Sequence, residues 1–464
     1  MFASAVYKKR REKLAASLRA LGAEGQVFLA AHPESPMNYP ENCYPFRQDS
    51  NWLYFVGLNE PNMAAFIDVA DGRAVLFGEE CSVDEMIWTG PKPRLADLAA
   101  LAGIDRSMSL SRAGQFLKGQ AREAILFPPF CREEALRRAA GLIDLPVETI
   151  RDTPSAELIA AIIALREIKD EEEVAELEKA VAISVQMHKT LLAELRPGWS
   201  ESEAAALVQH VAMKRGCALS FATIATVSGE VLHNHGRESI CRDGDMFLLD
   251  AGAEMPSGYA GDLTTSFPVG RKFPPRRAEL YTLLLDVFAQ SVKRLGPGVP
   301  FLDVHKIASL TLAQGLIDLG IMRGNAEEAV MAGAHALFFP HGLGHMIGLD
   351  VHDMEGLGED NVGYFKTKRS SQFGLRSLRL AKRLAPGMVH SVEPGIYFIP
   401  GLIDKWQSEG NNKAYIDYDE LAKWRDCGGM RIEEDWLVGE KGCRRIGPAL
   451  DKSLESIENA RSGL

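Results

Sequence analysis

Three of the eleven histidines in this 464-residue chain fall within twelve residues, in the stretch Phe338-Phe-Pro-His341-Gly-Leu-Gly-His345-Met-Ile-Gly-Leu-Asp-Val-His352. Imidazole binds metals and carries protons near neutral pH, so this density points to a site. Glycines at 342, 344 and 348 interrupt any helical pattern and let backbone come close to whatever the imidazoles face. The bland alternative is a glycine-rich loop whose histidines only hydrogen-bond backbone.

Acidic residues recur in two places. Asp245-Met-Phe-Leu-Leu-Asp250, then Pro256-Ser-Gly258, then Gly261-Asp262-Leu-Thr264 reads as two strands around a turn. A turn centred near Pro256 leaves Asp250 and Asp262 six residues away on either side, directly opposite each other on one sheet face. Asp250 follows the apolar run Met246 to Leu249, where burial is expected, and a buried carboxylate pair needs a cation. Two solvent-facing aspartates are the alternative. A second strand pair, Gly387 to Phe398 and Gly429 to Val438, carries Glu393 and Glu433. Arg431 precedes Glu433 by two residues, on the same face of one strand and roughly 6.5 to 7 Å along it.

Asp250, Asp262, His345, Glu393 and Glu433 together make a set of four carboxylates and one imidazole. Such an oxygen-rich set suits two Mn²⁺, with Co²⁺, Fe²⁺ or Zn²⁺ as alternatives, better than the nitrogen- and sulfur-rich shells zinc usually takes. Four carboxylates exceed what one divalent ion requires. Two ions about 3.5 Å apart, bridged by carboxylates, would balance the charge and hold a water or hydroxide as nucleophile.

The length suggests two domains. Residues 24 to 150 alternate short apolar strands (26–30, 63–69, 74–77) with helical stretches (95–102, 133–140), which is α/β patterning. Tyr44-Pro-Phe-Arg47-Gln48-Asp49-Ser-Asn-Trp52 to Gly57 fits either half-buried packing or a pocket rim or subunit interface. From 155 to 195 nearly every residue is a helix former, with a charged change of register at Lys169 to Glu173. The boundary belongs near 165 to 170, giving domains 1–165 and 166–464. Ser200-Glu-Ser-Glu203 has the form of a capping box. Each half of the second domain reads as helices followed by a strand pair with two acids, which suggests an internal duplication closing on one site.

Composition excludes other classes. A net charge of −11 and pI near 5.6 leave no electrostatic footprint for nucleic acid. Seven cysteines without CxxC spacing fit free thiols in a reducing compartment. The charged amino terminus, with apolar Leu14, Leu18 and Leu21, resembles an amphipathic helix instead of a signal peptide, and no run approaches the roughly 20 apolar residues of a membrane span. The expected location is cytoplasmic, with no membrane partner.

The motifs resemble those of the pita-bread metallopeptidases, specifically the aminopeptidase P and prolidase group: Leu249-Asp250-Ala-Gly, Gly261-Asp262-Leu-Thr264, His341-Gly-Leu-Gly-His345, Gly348-Leu-Asp-Val-His352-Asp, Val392-Glu393-Pro-Gly and Arg431-Ile-Glu433-Glu-Asp. Phe46-Arg47-Gln48-Asp49-Ser resembles the amino-terminal domain of the same enzymes. The resemblance implies an α+β fold: a carboxy-terminal pita-bread (creatinase/aminopeptidase-like) domain with pseudo-twofold duplication, preceded by a smaller α/β domain. It implies that Asp250, Asp262, His345, Glu393 and Glu433 bind two metals, usually manganese. It also implies that His233 lies near the substrate and that His341 and His352 bind substrate and stabilise the tetrahedral intermediate.

The implied activity is hydrolysis of the Xaa-Pro bond, in dipeptides or longer peptides, by a homodimer or homotetramer. Glu393 would move a proton to the leaving nitrogen. Gly374-Leu-Arg376-Ser-Leu-Arg379 resembles the prolidase pattern in which Arg379, with Arg431, grips the free proline carboxylate; a solvated basic helix face (Arg376, Arg379, Lys382, Arg383) is the alternative. Three departures stand out: a longer turn between the aspartates, Thr265 where aminopeptidase P often has Arg, and Phe221 in place of a tyrosine. A metal-free member of the fold, a creatinase-like hydrolase or a binding module, is the alternative from another class.

Overall fold

The computed structural model describes residues 2–117 and 124–463. Strands are numbered here in chain order. In the amino-terminal region β1 (Gln26–Ala30), β2 (Ala64–Asp68), β3 (Ala74–Gly78), β4 (Arg106–Ser109) and β5 (Ile125–Leu126) form one sheet in the order β4-β3-β2-β1-β5. The β1–β2 and β2–β3 pairs are antiparallel, whereas β4 and β5 join in parallel. Phe28, Phe66 and Phe77 from these strands meet one another and Phe116 of helix Ala113–Phe116, with ring centroids 5.1 to 5.6 Å apart. Helix Glu133–Ile143 adds Leu136, Ala139, Ala140 and Ile143 to that core. Helix Ser4–Ala20 buries Leu14 and Leu18, but Leu21 lies past its end and is exposed. Of the segment from Tyr44 to Gly57, Ser50–Phe55 is a buried helix capped by Asp49, with Trp52 Nε1 donating to Leu58 O at 2.8 Å.

The chain divides into one unit of Met1–Arg166 with Met354–Asn361 and a second of Glu167–Asp353 with Val362–Leu464. The second opens on helix Glu171–Glu194, started by a capping box between Asp170 and Glu173, and helix Glu201–Lys214, started by one between Ser200 and Glu203. Five short strands follow: β6 (Ala218–Leu219), β7 (Ile224–Thr226), β8 (Met246–Asp250), β9 (Ala253–Glu254) and β10 (Thr264–Pro268). Of these, β10-β8-β7 form a sheet buried along its whole length. The pattern then repeats. Helices Pro275–Arg294 and Phe301–Asp318 pack together, and β11 (Val389–Val392), β12 (Gly395–Tyr397), β13 (Gly429–Arg431), β14 (Glu434–Val438) and β15 (Cys443–Arg445) pair as β11-β14-β15 and β12-β13.

The two halves are stitched where β10 meets β13. Ser266 Oγ donates to Arg431 O at 2.9 Å and accepts from Arg431 N at 3.0 Å, and Glu433 N–H donates to Thr264 O at 3.1 Å. Acidic residues from both sheets are thereby carried to one seam. All seven cysteines are free, and no helix among the described residues is long and apolar enough to cross a membrane.

Candidate metal centre

Asp250 ends β8, and the antiparallel ladder sets it opposite Thr264, not Asp262. The flanking bonds from Ala251 N–H to Leu263 O and from Gly261 N–H to Ala253 O put Asp262 across from Gly252. The turn is therefore centred on Ser257, and the expectation of two directly opposed aspartates is corrected to a diagonal pair one step apart. Gly252 is required there, because a Cβ would lie 1.8 Å from Gly261 O.

Glu433 does not continue the strand of Arg431, as the sequence reading had it. The strand breaks after Arg431 and resumes at Glu434, leaving Ile432 and Glu433 between β13 and β14. On the facing chain Glu393 and Pro394 fall in the matching gap between β11 and β12. Both glutamates thus sit where the ladder opens and a side chain can leave the plane of the sheet.

The histidine-rich stretch from Pro340 to Val351 is neither helix nor strand, and it docks along β11. Ser391 N–H donates to His345 O at 2.9 Å and His345 N–H donates to Ser391 Oγ at 3.1 Å. Gly344 permits this approach, since a Cβ there would stand 2.3 Å from Ser391 O. The His345 and His352 rings stack at 3.9 Å.

One cavity of about 500 Å³ is lined by all ten candidate residues: His233, Asp250, Asp262, His341, His345, His352, Arg379, Glu393, Arg431 and Glu433. Within it, one ligand-type atom each from Asp262, His345 and Glu433 lie within 4.8 Å of one another. His345 Nδ1 is 3.2 Å from Met346 O, so it carries the ring proton and leaves the Nε2 lone pair facing Asp262 Oδ2 and Glu393 Oε1, both at 3.5 Å. With both carboxyls ionised, these three acceptors would repel one another unless a proton or a metal cation came between them.

The residues fit a pair of divalent ions on a further observation. Asp250 Oδ1, Asp262 Oδ1 and Glu433 Oε1 are buried without a hydrogen-bond partner, a costly arrangement for carboxylates. Burial and mutual repulsion hold the Asp262 and Glu393 carboxyls well above the usual range. Burial and the nearby Asp250 push Glu433 up to about 8. Such groups keep protons that a metal would displace.

Around these groups runs a layer of hydrogen bonds the sequence reading did not contain. Arg431 reaches Asp250 Oδ2 at 2.5 Å, Thr264 Oγ1 at 3.2 Å and Tyr397 Oη at 2.9 Å. Each of its three nitrogens thus serves a protein group, with one further N–H left on each of Nη1 and Nη2. Tyr397 Oη accepts from Arg431, so it turns its own hydrogen to His341 Nε2 at 2.9 Å, and the His341 proton rests on Nδ1, 2.8 Å from Gly342 O. Thr264 Oγ donates to Glu433 Oε2 at 2.7 Å, and the Asp262 N–H donates to Asp435 Oδ2 at 2.9 Å. Lys452 Nζ reaches Glu433 O at 3.2 Å. Tyr397 could have been suspected from Gly395-Ile-Tyr397, since its ring covers Gly395, where a Cβ would meet Tyr397 Oη at 2.3 Å.

The departures also find places. Phe221 lines the cavity, and the Thr265 Oγ is 2.9 Å from Nδ1 of the buried His188. Burial and nearby cations, Arg431 for His341 and Arg379 for His352, push both imidazoles down to about 3, so each is neutral. The basic stretch is no helix face: only Leu375–Ser377 forms a 3-10 turn, Lys382 pairs with Glu167, and Arg383 donates to Gly298 O at 2.8 Å.

Comparison with known proteins gives this geometry a family. Residues 175–440 match the model of metallopeptidase family M24, and residues 7–126 match the amino-terminal domain of aminopeptidase P. The chain belongs to metallopeptidase family M24, with the aminopeptidase P type of amino-terminal domain and the pita-bread fold. It is 30% identical to the Xaa-Pro dipeptidase of Homo sapiens, over 99% of this chain and 94% of that protein. It is 28% identical to the Xaa-Pro aminopeptidase of Escherichia coli strain K12, over 97% and 96%. An Escherichia coli aminopeptidase P variant in complex with substrate superposes with a TM-score of 0.81 at 27% identity, covering 100% of this chain and 99% of that one.

Proposed function

We propose that this chain is a metal-dependent Xaa-Pro peptidase that releases the amino-terminal residue of peptides whose second residue is proline. The observation that carries the reading is the set of orphaned buried oxygens of Asp250, Asp262 and Glu433, residues that line one peptide-sized cavity with His345 and Glu393. The relatives that bear Xaa-Pro names support the substrate class.

Asp250, Asp262, His345, Glu393 and Glu433 would hold two divalent ions. The ions, when bound, supply Lewis-acid activation of water and of the scissile carbonyl. Mn²⁺ is the proposed occupant, because the donor set is four parts carboxylate to one imidazole. Seven free cysteines are consistent with a reducing, cytoplasmic setting.

The rest of the work falls to side chains. The centre these five residues would hold offers a place for the free amino group of the peptide, which favours cleavage at its first bond. Neutral His352, stacked on His345 and lining the same cavity, is assigned to the carbonyl oxygen as it gains negative charge. Glu393, with Oε2 3.9 Å from His341 Nδ1, is assigned the proton transfer from the attacking water to the prolyl nitrogen. An Xaa-Pro amide has no N–H to recognise, so the ring must be read by shape, with His341 held edge-on against Phe339 at 4.8 Å as part of that wall. Arg379 faces the same cavity, its charge felt at His233, His352 and Glu393, and suits a carboxylate on the proline.

The test is Ala-Pro hydrolysis before and after chelation. Chelation should remove it and Mn²⁺ should restore it better than Zn²⁺. Full turnover in chelated protein contradicts the metal reading, and equal rescue by Zn²⁺ contradicts the choice of manganese.

A further inference from the structure

We propose that the segment between Asp360 and Glu393 forms a cationic lip on the substrate cavity that favours peptides with a negatively charged side chain on the residue after proline, a specificity that rests on the Xaa-Pro reading above. In a chain of net charge −11, these 32 residues contain no Asp or Glu and seven basic residues: Lys366, Lys368, Arg369, Arg376, Arg379, Lys382 and Arg383. Lys382 pairs with Glu167 and Arg383 donates to Gly298 O.

The segment supplies Arg379 to the lining of the cavity, and Lys366, Lys368, Arg369 and Arg376 lie on the loop that hydrogen bonds tie to Leu378, next to it. Its stretch from Ser377 to Arg379 packs on the turn after His341, where a Cβ on Gly342 would be 2.8 Å from Leu378 Cα. Ser377 and Arg379 line the cavity. Arg369 donates to Arg376 O at 2.9 Å and to Leu378 O at 3.0 Å, so its guanidinium brackets Ser377 from outside. Tyr364 ties the other end of the loop in by donating to Leu378 O at 2.7 Å. Arg376 lies over Phe373 at 5.3 Å and Lys366 over Phe365 at 5.4 Å, contacts that hold a cation without neutralising it. Lys366, Lys368 and Arg376 are exposed.

The cavity is therefore polar along its length, with four carboxylates at the floor (Asp250, Asp262, Glu393, Glu433) and cations at the lip. A peptide bound with its amino group at the floor and its proline beside His341 presents the following residue to Arg379 and the cations beyond it. Charge concentrated at the lip of a low-dielectric cleft raises the local concentration of an oppositely charged group, and it does so more at low ionic strength.

Three amidated substrates isolate the side-chain charge from that of a carboxy terminus: Ala-Pro-Glu-NH2, Ala-Pro-Gln-NH2 and Ala-Pro-Lys-NH2, with Ala-Pro as reference, assayed on the Mn²⁺-loaded protein. In about 0.1 M salt, kcat/KM should fall from Glu to Gln to Lys, with about a tenfold span between the ends, and in about 1 M salt, where screening acts within about 3 Å, the span should shrink to near unity. The triple variant Lys366→Glu/Lys368→Glu/Arg376→Glu should lose or invert the Glu-over-Lys ratio, and the milder Lys366→Gln/Lys368→Gln should reduce it. Equal kcat/KM for Glu and Lys peptides at low salt overturns the lip, as does a preference that salt and charge reversal leave intact. Cleavage of Ala-Pro with none of the three longer peptides overturns it too. If Ala-Pro is also untouched, the Xaa-Pro reading has failed first.

Discussion

The guanidinium of Arg431 donates to Asp250 Oδ2 at 2.5 Å, leaving Oδ1 of the same carboxylate buried without a partner and facing the cavity. One oxygen is fixed by the protein and the other is kept for something the chain does not supply. Arg431→Met should weaken metal binding by about 10- to 100-fold, as loss of a bond that orients a ligand does. Calorimetric titration of the metal-free variant checks this, and unchanged affinity would show that Asp250 is oriented by something else.

Asp262 and Glu433, whose ligand atoms converge with that of His345, are the least replaceable carboxylates. Asp262→Ala and Glu433→Ala should each leave less than about one hundredth of wild-type turnover with Mn²⁺ supplied. Circular dichroism should stay native, because the second unit keeps its buried β10-β8-β7 sheet. Turnover well above that level in either variant counts against a two-ion centre.

Metal-free protein should lose stability as pH rises from 6.5 to 8. Glu433 holds its proton up to about 8 in the folded chain, against 4.5 for an ordinary glutamate, so across that window the native state binds more protons than the unfolded one. Its contribution is complete below 4.5 and is lost as pH passes 8; Asp262 and Glu393 act in the same direction. The buried histidines His188, His341 and His352, pushed down to about 3, work oppositely, but only below the 6.5 at which an unfolded histidine titrates. The urea midpoint of chelated protein should therefore fall between pH 6.5 and 8, and Mn²⁺ should reverse the trend. A flat or rising midpoint without metal would mean the carboxylates are already ionised.

Arg379→Ala should lower kcat/KM for Ala-Pro more than for Ala-Pro-Ala. A charge-assisted contact to the proline carboxylate is worth about 1.5 to 3 kcal/mol, roughly tenfold to more than a hundredfold, and the tripeptide has no carboxylate there. Equal losses on both substrates would assign Arg379 to the scaffold.

Chemistry was more legible in the sequence than register. Residue type alone marked His341, His345, His352 and the four acids, because few other sites concentrate such groups, and all of them line one cavity. The turn centre was misplaced because Glu254 bridges to Ala260 across a short extra strand, which shifts the pairing of Asp250 from Asp262 to Thr264. The bond from Arg431 to Asp250 was not legible because the two lie 181 residues apart, and charge pairing at that separation leaves no trace in local pattern. Tyr397 was missed for a related reason: its hydroxyl matters through His341 and Arg431, two elements that only the folded chain brings to it. The buried Lys169–Asp353 pair at 2.8 Å, next to His352, was equally invisible.

Product analysis by mass spectrometry tests the central claim most directly. Mn²⁺-loaded protein is given Ala-Pro-Ala, Ala-Ala-Ala and amino-terminally acetylated Ala-Pro-Ala, with Ala-Pro alongside. The account predicts free alanine from Ala-Pro or Ala-Pro-Ala, with Pro-Ala as the only other product of the latter. Ala-Ala-Ala and the acetylated peptide should remain intact, since one lacks the proline ring and the other the free amino group that the centre held by Asp250, Asp262, His345, Glu393 and Glu433 would receive. Cleavage of Ala-Ala-Ala at a comparable rate, or of the acetylated peptide, would contradict it.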